Sequence, residues 1–469
     1  MLALLCGVVL SACGGDQSLP APPPVAASEA LAAHSAEFSR DIVEVVPGIH
    51  VAIGYALANV ILIEGDDGVI IVDTTESLAA ARAIKAEFDR ITDKPVAAII
   101  YTHNHTDHIF GATAFAQGRD IPVYAHATTW SHIERIMNVL RPVIETRSFR
   151  MFGNYLAAGG ETVVNDGIGP ALAHTPGVDK DLFGLLQPTH TFQDRLEVTI
   201  AGRKLVLLHA PGETDDQILV WLPEEKVLLP GDNVYKAFPN LYTIRGTRYR
   251  DVMQWARSVR SMRDLGAEYL VPSHTRPVAG ATEIDEILRV YSDAIQYVHD
   301  QTVRGINQGL DALTLAARIE LPSELAAHPW LQPFYGTVPW SVRAIYSGYL
   351  GWYDGNSSNL FPTPAATRAS RMLELAGGEA AVLAEAEARL PQDPQWAAEL
   401  ADLVLTANPD SVAVAADLKA QALRILASGT PNPNARNWYL TEALELEGRV
   451  TVAPSPLTAE RVEFARGFP

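Results

Sequence analysis

The run Thr102-His103-Asn104-His105-Thr106-Asp107-His108 constrains this chain more than any other stretch. It puts three imidazoles and one carboxylate within six residues, directly after the apolar segment Val96–Tyr101, which reads as a buried strand. A loop leaving a strand end points alternate side chains to one side. His103 and His105 therefore converge on one ion, while Asp107 and His108, turning into the next helix, reach a second. Imidazole and carboxylate are the donors expected for zinc. Cysteine takes no part. The two in the chain, Cys6 and Cys13, lie at its extreme N-terminus, which excludes a disulfide framework, a thiolate zinc cluster and a cysteine nucleophile from the folded body.

The flanking pattern is that of an α/β layer fold. Val51–Ile63 and Val69–Val72 are dense in β-branched residues and are separated by the turn signal Asp66-Asp67-Gly68. Ala81, Ile84, Phe88 and Ile91 follow at helical spacing, and Val96–Tyr101 returns as a strand. Strand, helix, strand in succession implies layers. Short strands also fit Leu196–Ile200, Leu205–Leu208, Ile218–Leu222 and Tyr269–Val271. After about residue 282 the strands stop. Trp396, Leu400, Leu403 and Ala407 form a helical stripe behind the start signal Asp393-Pro394. Val414, Leu418, Ala422 and Ile425 form another, which Gly429 can end. Only about one and a half units resemble tetratricopeptide repeats, so this part reads as a helical domain rather than an array.

With 48% hydrophobic residues the composition is globular, and 469 residues suit two or three domains. Thirty-six basic against 55 acidic residues give a formal charge of −19. That opposes a broad nucleic-acid face but does not fix the field in any one cleft. Residues 1–12 are apolar, too short for a bilayer span, and suit a signal-peptide core, although no Lys or Arg precedes them. Leu10-Ser11-Ala12-Cys13 resembles a bacterial lipoprotein cleavage box, which implies lipidation of Cys13 and an exported, membrane-anchored chain. Ser18–Ala33 is Ala/Pro-rich and reads as an extended tether.

The His run resembles the HxHxDH signature of the metallo-β-lactamase superfamily over roughly residues 43–300. The resemblance implies an αββα sandwich with one or two metals at the sheet ends. It adds Glu213 in Ala210-Pro211-Gly212-Glu213-Thr214, Asp232 in Leu229-Pro230-Gly231-Asp232-Asn233 and His274 in Val271-Pro272-Ser273-His274 as further ligands. Asp73, at the end of Val69–Val72, matches an acid that supports the ligands. Glu213 stands where most of the superfamily has His, as in the alkylsulfatase branch; Asp215 and Asp216 are the alternatives. Asp232 departs from the branch's usual Glu. The expected cofactor is two zinc ions, which would lower the pKa of a bound water to about 7. Their charge would be cancelled by three carboxylates and a hydroxide, so the substrate needs its own cation.

That cation is expected at Arg245, because Asn240-Leu241-Tyr242-Thr243-Ile244-Arg245-Gly246 is very similar to the alkylsulfatase segment whose Arg holds the sulfate. A guanidinium offers paired donors to a tetrahedral oxyanion and stays charged. Asn233 and Tyr242 are candidates for further hydrogen bonds to substrate. Met151–Leu156 with the Gly-rich 159–169 and Pro188-Thr189 resembles the branch's active-site insertion, which His174 and His190 flank. Tyr346–Asn356 resembles its dimerisation-domain signature, so an interface is expected from Phe334-Tyr335 through Tyr353. The remaining histidines lack ligand spacing.

The implied organisation is a signal peptide (1–12), a tether (13–36), a metallo-β-lactamase-like domain (37–300), an all-α dimerisation-like domain (301–450) and a tail (451–469). The branch's C-terminal lipid-carrier-like domain is not expected within these residues. The expected activity is zinc-dependent hydrolysis of alkyl sulfate esters by a homodimer. Another hydrolase of the superfamily, such as a lactonase, thioesterase or phosphodiesterase, is the first alternative. A surface lipoprotein with a structural metal and a protein partner is the second.

Overall fold

A computed structural model describes residues 25–171, 183–408 and 412–454. Cys6, Cys13 and His174 lie outside the described residues. Among the described residues, no helix is long and apolar enough to cross a membrane.

Two sheets form the centre. The first holds β1 (Asp41–Val46), β2 (Ile49–Ile53), β3 (Val60–Glu64), β4 (Val69–Val72), β5 (Val96–Ile100), β6 (Val123–His126) and β7 (His190–Phe192), in that order. β1 to β4 pair antiparallel and β4 to β7 pair parallel. The second holds β8 (Arg195–Ile200), β9 (Arg203–His209), β10 (Ile218–Leu222), β11 (Val227–Leu229), β12 (Tyr269–Leu270) and β13 (Val278–Ala279); β11 and β12 are parallel. The expected strand Val51–Ile63 is two antiparallel strands, because residues 54–59 loop out between β2 and β3.

Alternation along the strands builds three layers of core. Val51, Ile61, Ile63, Val72 and Ile100 face Leu207, Ile218, Val220 and Leu229 across the sheets. Their neighbours Ala52, Leu62, Ile71 and Ile99 face outward and are covered by the helix Leu78–Phe88. The second sheet is covered by Val252–Met262 and Ala281–Asn307. With both faces buried, the strands read as continuous apolar runs. This is the expected αββα sandwich. Helix Leu78–Phe88 starts at the Ser77 cap and ends before Ile91, which is solvent-exposed rather than part of the stripe.

The described end of the expected tether, residues 25–36, is not extended. Glu29–His34 is a helix capped by Ser28, and its Leu31 is fully buried against Leu57, Met151 and Ile168. His34 stacks on Phe334 with centroids 4.0 Å apart. An apolar side chain every few residues was enough to dock this segment on the body. After residue 281 the chain is helical. Asp393 caps Pro394–Ala407 as expected. The buried faces are partly offset from the expected stripes: Trp396, Val414 and Ile425 are exposed, while Ala397, Ala401, Ala415 and Leu418 are buried. Alanines carry the contacts there, so the helices approach closely.

Candidate metal centre and active site

Four loops meet at one end of the sandwich, each leaving the C-terminal end of a strand. β5 delivers residues 102–108, β9 delivers 210–217, β11 delivers 230–233 and β12 delivers 271–275. Gly212 and Gly231 let two of these loops interlock. A Cβ on Gly212 would strike Asn233 Oδ1, and one on Gly231 (φ +58°) would strike Gln217 Nε2.

Asp232 Oδ2 is the hub. It lies 3.3 Å from His108 Nε2, 3.2 Å from His274 Nε2 and 3.6 Å from His103 Nε2. Asp107 Oδ2 lies 3.4 Å from His108 Nε2 and 3.5 Å from His274 Nε2. The donors fall into two groups, Asp107, His108, Asp232 and His274 in one and His103, His105 and Asp232 in the other, all buried. Asp232 belongs to both.

The supporting contacts fix which imidazole nitrogen points inward. His274 Nδ1 is 2.9 Å from the Leu57 carbonyl and 3.0 Å from that of Ile168. Both can only accept, so Nδ1 carries the proton and Nε2 is free to ligate. His108 Nδ1 faces Asp73 Oδ2 at 2.7 Å in the same way. Asp73 also accepts the Thr102 N–H and the hydroxyls of Thr102 and Ser273. The expected supporting role of Asp73 thus has its geometry. Asp73 itself sits at φ +60°, a sparsely populated conformation that so many partners hold in place.

Burial pushes the His103 imidazole down to about 4, and neighbouring His108 adds to it. Burial would raise the Asp232 carboxyl, but the imidazoles of His108, His274 and His103 hold it well below the usual range. Burial would lower His108 and His274, but Asp232 and its neighbouring carboxylates hold His108 well above the usual range and raise His274, so a divalent cation would take the place of their protons. Among the candidate ligand atoms, His108 Nε2, Asp232 Oδ1 and Glu213 Oε2 are buried without a hydrogen-bond partner. Buried polar atoms without partners are rare, and a cation would satisfy all three. The donor set fits bound metal.

Glu213 is buried among these loops but outside both close groups. Its N–H donates to Asn233 Oδ1, and its Oε1 pairs with Arg250 Nη1 at 2.9 Å. Burial raises its carboxyl to about 7 against the pull of Arg250. The alternatives are spent elsewhere. Asp215 pairs with Arg248 at the surface, and Asp216 accepts Asn104 Nδ2 and Thr129 Oγ1.

Arg245 Nη2 donates to His105 Nε2 at 3.2 Å, which puts the guanidinium directly over the ligand cluster. Asn233 is not a substrate contact. Its amide is spent on the Glu213 N–H and the Ala210 carbonyl, so it braces the ligand loops. Tyr242 lines a cavity other than the one that holds Asp107 and Asp232. That main cavity has about 790 Å³ and is walled by Phe38, Leu57, Phe110, Ile144, Phe149 and Phe152. Phe152 and Asn154 come from the expected insertion, and Ile168 of its Gly-rich part holds His274. His190 is exposed on β7, away from both cavities.

Sequence reasoning missed three residues. Arg250 is buried, and Glu213 is its ion-pair partner. Glu76 lines the main cavity and accepts the Leu57 N–H, and burial pushes its carboxyl up to about 7. Asn59 holds the Pro272 and Thr275 carbonyls on either side of His274. Only Arg250 had a signal, as the second basic residue after Arg245 in one short run.

The metallo-beta-lactamase superfamily model matches residues 54–274, and the alkyl sulfatase dimerisation model matches residues 313–449. A linear primary-alkylsulfatase of Pseudomonas sp. (strain ATCC 19151) is 41% identical over 397 residues, covering 83% of this chain and 74% of that one. The chain belongs to the alkylsulfatase family of the metallo-β-lactamase superfamily. An (R)-specific secondary-alkylsulfatase of Pseudomonas sp. is 30% identical over 88% of this chain. The solved structure of the inverting sec-alkylsulfatase Pisa1 from Pseudomonas sp. matches with a TM-score of 0.82 and 28% identity over 88% of this chain. The chain spans 64% of the secondary-alkylsulfatase and 66% of the Pisa1 chain. The match of residues 313–449 assigns the helical part to the family's dimerisation domain.

Proposed function

We propose that this chain hydrolyses alkyl sulfate esters to an alcohol and inorganic sulfate, with two metal ions per chain. The single observation that carries the reading is the juxtaposition at Arg245. A guanidinium stands over a buried ligand cluster, at the edge of a large apolar cavity. That is a head-and-tail match for an anionic group on a hydrocarbon chain. The relatives named above carry the same activity in their names.

His103, His105, Glu213 and Asp232 would hold one ion, and Asp107, His108, His274 and Asp232 the other. Histidine and carboxylate donors favour zinc. Bound metal supplies Lewis-acid activation of water and of the ester oxygen. The chain's own groups do the rest. Arg245 takes two sulfate oxygens through its paired N–H groups and offsets the charge that grows as the ester bond breaks. The phenylalanine-rich wall strips water from the alkyl tail, worth about 25 cal/mol for each Å² buried. Asp73 and the carbonyls of Leu57 and Ile168 keep His108 and His274 in the tautomers that ligate. Arg250 holds the Glu213 carboxylate, which its burial alone would neutralise.

The test is sulfate release from a chain-length series of alkyl sulfates, set beside a lactone, a thioester and a phosphodiester. Turnover confined to the sulfates, rising with chain length, is expected. Turnover of another ester class with no sulfate release would refute the reading. Labelled water then tells carbon attack from sulfur attack, by label in the alcohol or in the sulfate.

We further propose that the chain is exported, lipidated at Cys13 and homodimeric. The apolar run 1–12 before Leu10-Ser11-Ala12-Cys13 supports the first two. The exposed Tyr349, Leu350, Trp352, Leu360 and Phe361 support the third. Phe334 and Tyr335 are excluded from that interface, because both are buried beside the active site. Mass spectrometry of the membrane-extracted chain and its solution mass check these points.

A further inference from the structure

Arg245 divides two cavities. The main one, of about 790 Å³, and a second of about 330 Å³ share only His105, Ile136, Ile144 and Arg245 in their walls. Their charge balance differs. In the main cavity an apolar wall carries three arginines and four acids, Glu76, Asp107, Glu145 and Asp232. In the second, five arginines (135, 147, 245, 248 and 250) meet only Glu213 and Asp215. Both of those acids are already paired, Glu213 with Arg250 at 2.9 Å and Asp215 with Arg248 at 3.1 Å. Arg135, Arg147 and Arg245 form no ion pair among the described residues. Nε and Nη2 of the buried Arg250 have no hydrogen-bond partner at all. An excess of positive charge is gathered in one cavity of a chain whose formal charge is −19.

We propose that this second cavity is the passage by which inorganic sulfate leaves, while the alcohol still fills the main cavity. The inference rests on the sulfate-ester reading above. Hydrolysis adds water to a mono-anionic ester and yields a neutral alcohol, a sulfate dianion and a proton, so the inorganic product carries one more negative charge than the substrate head. The way back is blocked by the alcohol's tail. The way forward starts at Arg245, which already holds the sulfate, and continues along Arg135 and Arg147. A cleft lined by one sign of charge focuses the field and raises the local concentration and on-rate of its counter-ion by about 10- to 1,000-fold.

The experiment is sulfate exchange on the metal-loaded full-length chain, without turnover. Radiolabelled sulfate is bound and chased with unlabelled sulfate, with and without a saturating long-chain alcohol. It is repeated in an Arg135→Glu, Val143→Trp variant. Both positions line the second cavity, are exposed, and stand outside the metal and sulfate-holding sets. The expected result is exchange within about 2-fold of its rate when alcohol is added, and about 10-fold or more slower in the variant. Sulfate trapped by the alcohol, or exchange unchanged in the variant, overturns the passage. If the chain hydrolyses alkyl sulfates yet traps sulfate behind alcohol, only the passage fails. If the metal-loaded chain neither binds sulfate nor releases it from alkyl sulfates, the functional reading fails with it.

Discussion

The strand-end site and the C-terminal helices use charge in opposite ways. In the sandwich, buried ionisable groups are tied to one another at every turn, as Asp73, His108, Asp232 and His274 show. Between residues 365 and 429 the helices pack small alanine-rich cores and leave Leu375, Trp396 and Val414 in solvent. Their last helix, Pro433–Leu446, behaves differently. Arg436 donates to the Val25 and Thr162 carbonyls, and Asn437 to that of Met151. Arg150 pairs with Glu445 at 2.7 Å, and from the end of the preceding helix Arg424 pairs with the buried Glu161. These contacts grip the segment 150–168, which supplies the cavity wall and holds His274. The helical part therefore splints the active-site cover, while the sandwich does the chemistry.

That division can be broken by mutation, and the largest effect belongs to the ligands. Asp107→Ala is expected to cut sulfate release below about one-thousandth of the parent rate, with bound metal falling in elemental analysis. Arg245→Ala comes next, with a loss of about 100- to 1,000-fold in kcat/KM and metal content unchanged. Arg245→Lys should not restore it, because a point charge lacks the paired donors. Arg424→Ala tests the splint. It leaves Glu161 buried without its partner and should cost about 3 kcal/mol of unfolding free energy. At temperatures where the variant stays folded, kcat should change by less than about 3-fold. A collapse of kcat with stability intact would show that the helices act in the chemistry.

The smallest effect is a pH slope at the N-terminal dock. Burial, opposed by the Gly167 carbonyl, lowers the pKa of His34. Its folded pKa lies below the unfolded one, so the full stability is present above about 6.5, the unfolded value, and falls as pH drops through the folded pKa. Thermal melts between pH 7.5 and 5 should show a shallower acid slope in His34→Gln than in the parent.

Much of the site was legible because each candidate ligand sits within a few residues of a strand end, where short-range pattern is informative. His103 to His108, Asp232 and His274 are of this kind. Arg250 was hidden because its partner lies 37 residues away, and only the fold brings them together. Glu76 looks like an ordinary acid ahead of a helix until the insertion encloses it. Asn233 was misassigned because a side chain spent on two backbone groups has the same sequence as one aimed at substrate. The helical faces slipped for another reason. An alanine contact such as Ala415 carries little hydrophobic signal, whereas the exposed Val414 beside it carries more.

The central claim is tested most directly by titrating the metal-stripped full-length chain with zinc while following sulfate release from a long-chain alkyl sulfate. The account predicts no release from the stripped chain, activity that climbs with bound zinc, and saturation at two ions per chain. Undiminished release from the stripped chain, or none from a chain holding two zinc ions, would contradict it.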